Sequence, residues 1–408
     1  MSASQKIALE KRIKDEFSLK NACCDKYDYM IAGTCGLIGG LIDVFFVGLP
    51  GEGKLTKCTD DIADSFVERF AKFIGWNGSG SNTTNPKASG IGFLENGGEI
   101  QGEILSLPQQ ILEKLGFIFK DEQSGKYRFC GFRVNYDQAT TNGKNGTDGL
   151  VKNLSTKNHH IKSLGHSPDL IGLFFSILDQ FTNTSHFVDK GHIISIDTEN
   201  IELKGSDFLS KLFAGFVNWL GHLISDMAGS SGTQSGKRGS GIPIPFYSLL
   251  QFINVGGFGE DRQKFATVAV QVFEKGYDFR HGTALAVPVF VTELFTRIMW
   301  VVKHHFYNKQ PLSECIPLAN NPELRRMLLI AHGSLCLVDT ADATLRSGGD
   351  MVTFMLRSNL IAWARFGTLA LKELEVWYRE GDLDIESVDR YLDTELERLF
   401  VNLQANPV

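Results

Sequence analysis

The sequence predicts a mainly α protein, a helical bundle with a small strand-containing insertion made of a helix plus a β-hairpin. Three observations carry that expectation. Hydrophobic residues form 43% of the chain and charged ones 22%, the proportions of a folded globular chain rather than a disordered one. Apolar residues recur mostly at steps of three and four, the helical period, and only two short stretches alternate instead. Thirty phenylalanines against nine tyrosines and five tryptophans point to dry apolar packing. The 408 residues divide into four parts. Residues 1–75 hold a charged N-terminal segment, a Gly-rich apolar helix and an amphipathic helix. Residues 76–150 hold Gly/Asn-rich loops with the small α+β insertion. The main helical core occupies 151–380, and an acidic amphipathic helix closes the chain over 381–408. A net charge of −6 excludes a chain built mainly to grip a nucleic-acid backbone, so there is no strong nucleic-acid signal.

Along the chain, the first 28 residues are dense in charge and lack an early apolar core, which predicts no secretory signal. Seven cysteines, odd in number and without a CxxC pair, read as reduced thiols. Ile31–Leu49 is the strongest single feature. Its nineteen residues carry one charge, Asp43, and a helix of about that length crosses a bilayer. Gly33, Gly36, Gly39 and Gly40 form a small-residue stripe of the kind that lets membrane helices pack closely. The alternative is a buried segment of a soluble bundle. Ala284–Val302 carries only Glu293 and Arg297, spaced to pair across one helical turn. Leu328–Val338 and Leu360–Leu371 are two further apolar stretches. A dry core and a lipid interior both demand that such charges be paired. Asp43, Glu293, Arg297, His332, Asp339, Asp342 and Arg346 are therefore expected in an intramembrane or buried polar network, with Arg357 and Arg365 as neighbours.

Residues 60–75 place Ile62, Phe66, Phe70 and Phe73 on one helical face. The preceding Gly48–Lys54 fits GxxxxGK, but Leu55 stands where a phosphate loop needs Ser or Thr, and the helical phase begins near Asp60. The segment therefore reads as a glycine turn. Ser106-Leu-Pro opens a short helix, followed by alternating strands around a Gln-Ser-Gly turn. That order is also the order of a winged helix. A second short strand pair is expected within Gly191–Leu203, and a helix over 168–181 with Pro168 at its first position. At the end of the chain, Ile385, Val388, Leu392, Leu396 and Leu399 make a narrow seam suited to docking or to a homo-oligomer.

The chemical candidates lie around the helix Asp207–Gly229. Leu209, Phe213, Phe216 and Leu220 fall on one side, and Gly215, Asn218, His222 and Asp226 on the other. His222 and Asp226 are one turn apart, so the carboxylate can orient the imidazole, or both can hold a metal. The polar side reads as a solvent face or, being short of long charged side chains, as a face packed on a polar surface or cavity. His159, His160 and His166 gather upstream and complete a donor set for a divalent metal in a hydrolase. Lys237 and Arg238, in the next loop, are candidates to neutralise a phosphate.

HLISDMAG (222–229) resembles the HxxSDxxAG stretch of the lipid-phosphatase and vanadium-haloperoxidase family. That resemblance implies His222 as a phosphate-accepting nucleophile, Asp226 as its orienter and His166 as a loose counterpart of a further histidine. The family's Ser-Arg pair is replaced by Phe216 and Val217. GLIDVFFVG (40–48), HSPDLIGLFFSILDQFT (166–182) with NWLGHLISDMAGSSG (218–232), and ADATLRSGG (341–349) together resemble a bacterial family of hypothetical proteins. That likeness implies one coherent architecture in a bacterial inner membrane or cytoplasm, and no particular activity. Three functions remain open: a membrane-associated protein with a non-enzymatic binding or effector role and membrane lipid as partner, a phosphoester hydrolase, and a soluble regulator with a winged-helix insertion.

Overall fold

The computed structural model describes residues 24–76, 98–102, 104–129, 151, 154–155, 157–197, 203–227, 241–259, 262–318 and 321–380. The Lys237–Arg238 pair and the C-terminal seam over 381–408 lie outside these residues. The architecture is mainly α with two small antiparallel hairpins. In chain order the elements are α1 (Lys26–Ile42, continued by a π-helical turn Asp43–Val47), α2 (Lys54–Phe73), α3 (Leu107–Lys114), β1 (Ile118–Lys120) and β2 (Tyr127–Phe129). There follow α4 (His159–Lys162), α5 (Leu170–Thr182), β3 (Thr184–Asp189), β4 (His192–Asp197), α6 (Phe208–Asp226) and α7 (Phe265–Glu274). The last four are α8 (Phe279–Val302, with a π-helical turn Lys303–Tyr307), α9 (Pro322–Ser347), α10 (Met351–Arg357) and α11 (Leu360–Glu380). The chain forms two compact units, residues 1–41, 288–338 and 360–408 in one, residues 42–287 and 339–359 in the other.

In the first unit, the glycine stripe of α1 is an approach surface. A Cβ on Gly36 would collide with the Ala331 carbonyl and the Ser334 side chain, one on Gly39 with the Thr292 hydroxyl, and one on Gly40 with Val338. Gly33, by contrast, faces open space. Ala32, Trp300, Leu324, Met327, Leu328, Ala331 and Leu369 close over this contact as one core. Glu293 is the node of the charged network. It accepts from Arg297 at 2.7 Å and from Arg365 at 2.9 Å, and the buried His332 ring stands 3.7 Å away. Lys303 likewise reaches Asp28 at 2.6 Å. Outside, Met30, Leu37, Phe290, Ile298, Leu337 and Leu371 are exposed. Three helical runs, Lys26–Val47, Phe279–Tyr307 and Pro322–Ser347, are long and apolar enough to cross a membrane.

In the second unit, α2 begins at Lys54, six residues before the expected phase, because Gly53 caps it against the Val47 carbonyl and Thr56 donates to that same oxygen at 3.1 Å. The glycine turn thus follows a helix, not the strand that a phosphate loop requires. Ile62, Phe66 and Phe73 point outward, and Val67, Ala71 and Ile74 form the buried side instead. That side packs on α3 and the β1–β2 hairpin through Ile100, Leu105, Phe117, Ile118 and Phe129. Strand β3 pairs with β4 from Thr184↔Asp197 to Asp189↔His192. This pair starts earlier than Gly191–Leu203, because Lys190-Gly191, both at positive φ, form its turn. Asp169, not Pro168, starts α5: its carboxylate accepts from Ile171 N and Gly172 N. Asp43 accepts from the Asn359 amide at 3.1 Å, and Asn359 N donates to Asp339 at 3.0 Å. Asp342 pairs with Arg346 at 2.8 Å and lies 3.6 Å from Arg357. The expected polar network is therefore two clusters, one about Glu293 and one about Asp339, Asp342 and Asn359.

Candidate metal centre

The side chains that meet in the second unit come from three short pieces of chain. α4 supplies His159 and His160, the single 3₁₀ turn Leu164–His166 supplies His166, and the last turn of α6 supplies His222 and Asp226. Local chemistry holds each piece. Asn158 accepts from Ser155 N at 2.8 Å ahead of α4, and Ser163 N closes that helix on the His159 carbonyl at 2.7 Å. Asp207 and Ser210 form a capping box that starts α6. Gly215 lets α6 approach α5 so closely that a Cβ there would strike Ile177, and Ser176 donates to the Gly215 carbonyl at 2.9 Å. The Trp219 indole then donates to the Ser167 carbonyl at 2.9 Å, which ties α6 to the turn carrying His166.

These ties set the orientation of α6. Asn218, His222 and Asp226 are only 3%, 5% and 5% exposed, whereas Leu209, Phe213 and Phe216 are 72%, 47% and 43% exposed. The polar side faces inward and the apolar side outward, the reverse of a helix on a water-soluble bundle. Of the two expectations for the polar side, the packed surface is the one observed.

Two overlapping donor sets result. His159, His160 and His166 form one, and His166, His222 and Asp226 the other, with the candidate ligand atoms within each set no more than 4.8 Å apart. His160 Nδ1 stands 3.3 Å from Asp226 Oδ2, and His222 Nδ1 stands 4.0 Å from that oxygen. Two donors on a tetrahedral zinc with bonds of about 2.0–2.1 Å are separated by roughly 3.3 Å, so the first distance already suits one ion. The His166 and His222 rings are 4.6 Å apart, and those of His159 and His160 3.6 Å apart. Burial, then the neighbouring imidazoles, holds His160 and His166 well below the usual histidine range. Both rings are therefore neutral near pH 7, the form in which imidazole offers a lone pair.

All five residues singled out as catalytic or metal-ligating, His159, His160, His166, His222 and Asp226, thus converge. Asp43, Glu293, Arg297, His332, Asp339 and Asp342 lie in the two charged clusters already described, whereas Arg346, expected in a buried network, is 51% exposed and meets Asp342 at the surface because its long side chain keeps its charged end in water. Sequence reasoning missed a buried cluster in the same unit. Arg280 meets Asp278 at 2.9 Å, with Asp60 at 3.7 Å and Asp64 at 3.9 Å. Its signal was the tight Asp278-Phe-Arg280 spacing directly before an apolar run. The described cysteines, Cys24, Cys35, Cys58, Cys315 and Cys336, are all free thiols.

The chain matches no protein-family model, no curated protein and no solved structure.

Proposed function

We propose that this protein is a membrane-associated metalloprotein whose His/Asp centre hydrolyses phosphoesters. The observation that carries the reading is the convergence of four histidines and one aspartate from three separate pieces of chain. Three imidazoles with a carboxylate are the donor set of zinc and similar borderline divalent ions. His166, His222 and Asp226, one of the two donor sets, would hold the ion, with His160 3.3 Å from the Asp226 carboxylate and His159 alongside. A metal bound there supplies Lewis acidity and a water of lowered pKa. The chain's own contribution is to keep its imidazoles neutral and its donors fixed. Membrane association rests on the three long apolar helices and on the outward apolar side of α6.

The metal reading is favoured over a histidine nucleophile by one distance. An orienting aspartate must hydrogen-bond its histidine, but the Asp226–His222 separation is 4.0 Å and His160 is nearer that oxygen. A second reading has its own support. Three of the four histidines and the aspartate are less than a tenth exposed, and closed sites are typical of structural metal. Turnover separates the two. Detergent-solubilised protein loaded with zinc should hydrolyse a generic aryl phosphate, and His222→Ala should abolish this while the protein stays folded. Loss of folding without any turnover in the wild type supports the structural metal instead. Retention in the membrane pellet after an alkaline wash tests the location, and release as a soluble species overturns it.

A further inference from the structure

Helix α2 carries more apolar surface than its core covers. Ala63 and Val67, with Ile74 just past its end, are buried. Around the helix that apolar arc continues through Phe70 to Phe66, Phe73 and Ile62, with no charged residue between. The last three are 49%, 60% and 63% exposed. Next to them on the same outer side stand Arg69, Lys54, Lys72 and Lys57, all exposed. Lys72 pairs with Glu68 at 2.7 Å, whereas Lys54, Lys57 and Arg69 form no ion pair among the described residues. Asp60 and Asp64 turn inward to the buried Arg280, at 3.7 and 3.9 Å. Asp61 is left as the exposed acid of the helix, so the outer face is apolar along one strip and cationic along the next.

The second observation is where α2 starts. The apolar run Lys26–Val47 is long enough to cross a bilayer. The first turn of α2 rests on its last residue. Thr56 donates to the Val47 carbonyl at 3.1 Å, and a Cβ on Gly53 would strike that same oxygen. A helix that begins where a membrane run ends begins at the level of the lipid headgroups. There an amphipathic helix lies with its apolar strip in the acyl boundary, while Lys and Arg reach from its flank to the phosphates. A nucleic-acid strand would meet the cations but leave Ile62, Phe66 and Phe73 in water. A neutral lipid surface would leave the three unpaired cations without counter-charge.

We propose that the outer face of α2 docks on the anionic lipid surface of the membrane, with Ile62, Phe66 and Phe73 entering the acyl boundary and Lys54, Lys57 and Arg69 meeting anionic headgroups. The proposal rests on the membrane reading above. Cys58, an exposed thiol on this face, supplies the probe. The full-length protein is labelled there with an environment-sensitive fluorophore, and peptide mapping confirms the position. It is then placed in vesicles of phosphatidylcholine alone, or with about one-third phosphatidylglycerol, each containing a nitroxide lipid that quenches on contact. At low salt, quenching should be at least twofold greater with phosphatidylglycerol, and about 0.5 M salt should remove the difference. The triple variant Lys54→Gln, Lys57→Gln, Arg69→Gln should remove it as well, and Phe66→Ser should lower quenching in both lipids. Equal quenching of the wild type in the two lipids, or a phosphatidylglycerol effect that survives salt or the triple substitution, would overturn the proposal. Protein that resists an alkaline wash yet shows no phosphatidylglycerol effect overturns this docking and leaves the membrane reading standing. Protein that the wash releases and that contacts neither vesicle overturns both.

Discussion

Replacing single glycines of α1 with alanine separates close packing from helix propensity. Gly33 and Gly36 lie three residues apart on one helix. A Cβ on Gly33 meets nothing, whereas one on Gly36 meets the Ala331 carbonyl and Ser334. Gly to Ala in a helix interior is worth about 1 kcal/mol of propensity at either position. That gain is common to both, so it cancels in the comparison. What remains is the overpacking cost at Gly36, about 1–3 kcal/mol, because α9 must move or bend to admit the methyl. Gly33→Ala should therefore raise stability slightly, and Gly36→Ala should fall below it by about 1–3 kcal/mol. The assay is thermal or denaturant unfolding in one detergent, followed by a helical signal. Equal stability of the two variants would refute the close contact between α1 and α9.

Further outcomes follow from other parts of the molecule. Arg280→Met removes the cation from buried Asp278 and its acidic neighbours and should cost about 3–5 kcal/mol, read as a lowered unfolding midpoint. Burial pushes the Asp179 carboxyl up to about 6, against the lowering effect of His186 at 2.6 Å. The folded state then holds this proton more tightly than the unfolded chain between pH 3.8 and about 6. The associated stability is full at low pH and is lost as pH rises through that window, by about 3 kcal/mol in all. Asp179→Asn should flatten that part of the pH–stability curve. Among the described cysteines Cys58 is the exposed one, so peptide mapping after brief maleimide treatment should find it modified while Cys35 and Cys336 react only on unfolding.

Much of this was legible from local pattern. The α1 glycine stripe and the Glu293–Arg297 pair could be read because helical spacing alone puts those residues on one face. The helix and hairpin over 107–129 could be read because Gly125 and its polar neighbours mark a turn between alternating residues. Other features depend on contacts that spacing does not encode. The direction in which α6 faces was obscured because an amphipathic pattern tells which residues share a side, not which side meets the core. The packing of Gly215 on Ile177 and the Trp219–Ser167 bond decide that. His166 and His222 meet only because α5 and α6 fold back on each other. The start of α2 was displaced because Lys54–Thr59 has no apolar period, and its cap is the backbone fit at Gly53. The Asp43–Asn359 bond joins residues 316 positions apart, beyond any local rule.

Metal stoichiometry decides whether residues from α4, the His166 turn and α6 hold a divalent ion. Full-length protein purified in detergent, stripped with chelator and titrated with zinc at pH 7.5 should take up bound metal in a saturable step. His166→Ala, which removes the residue common to both donor sets, should abolish that step, and Asp226→Ala should weaken it at least tenfold. A wild-type protein that takes up no zinc, or a His166→Ala variant that binds as wild type does, would contradict the account.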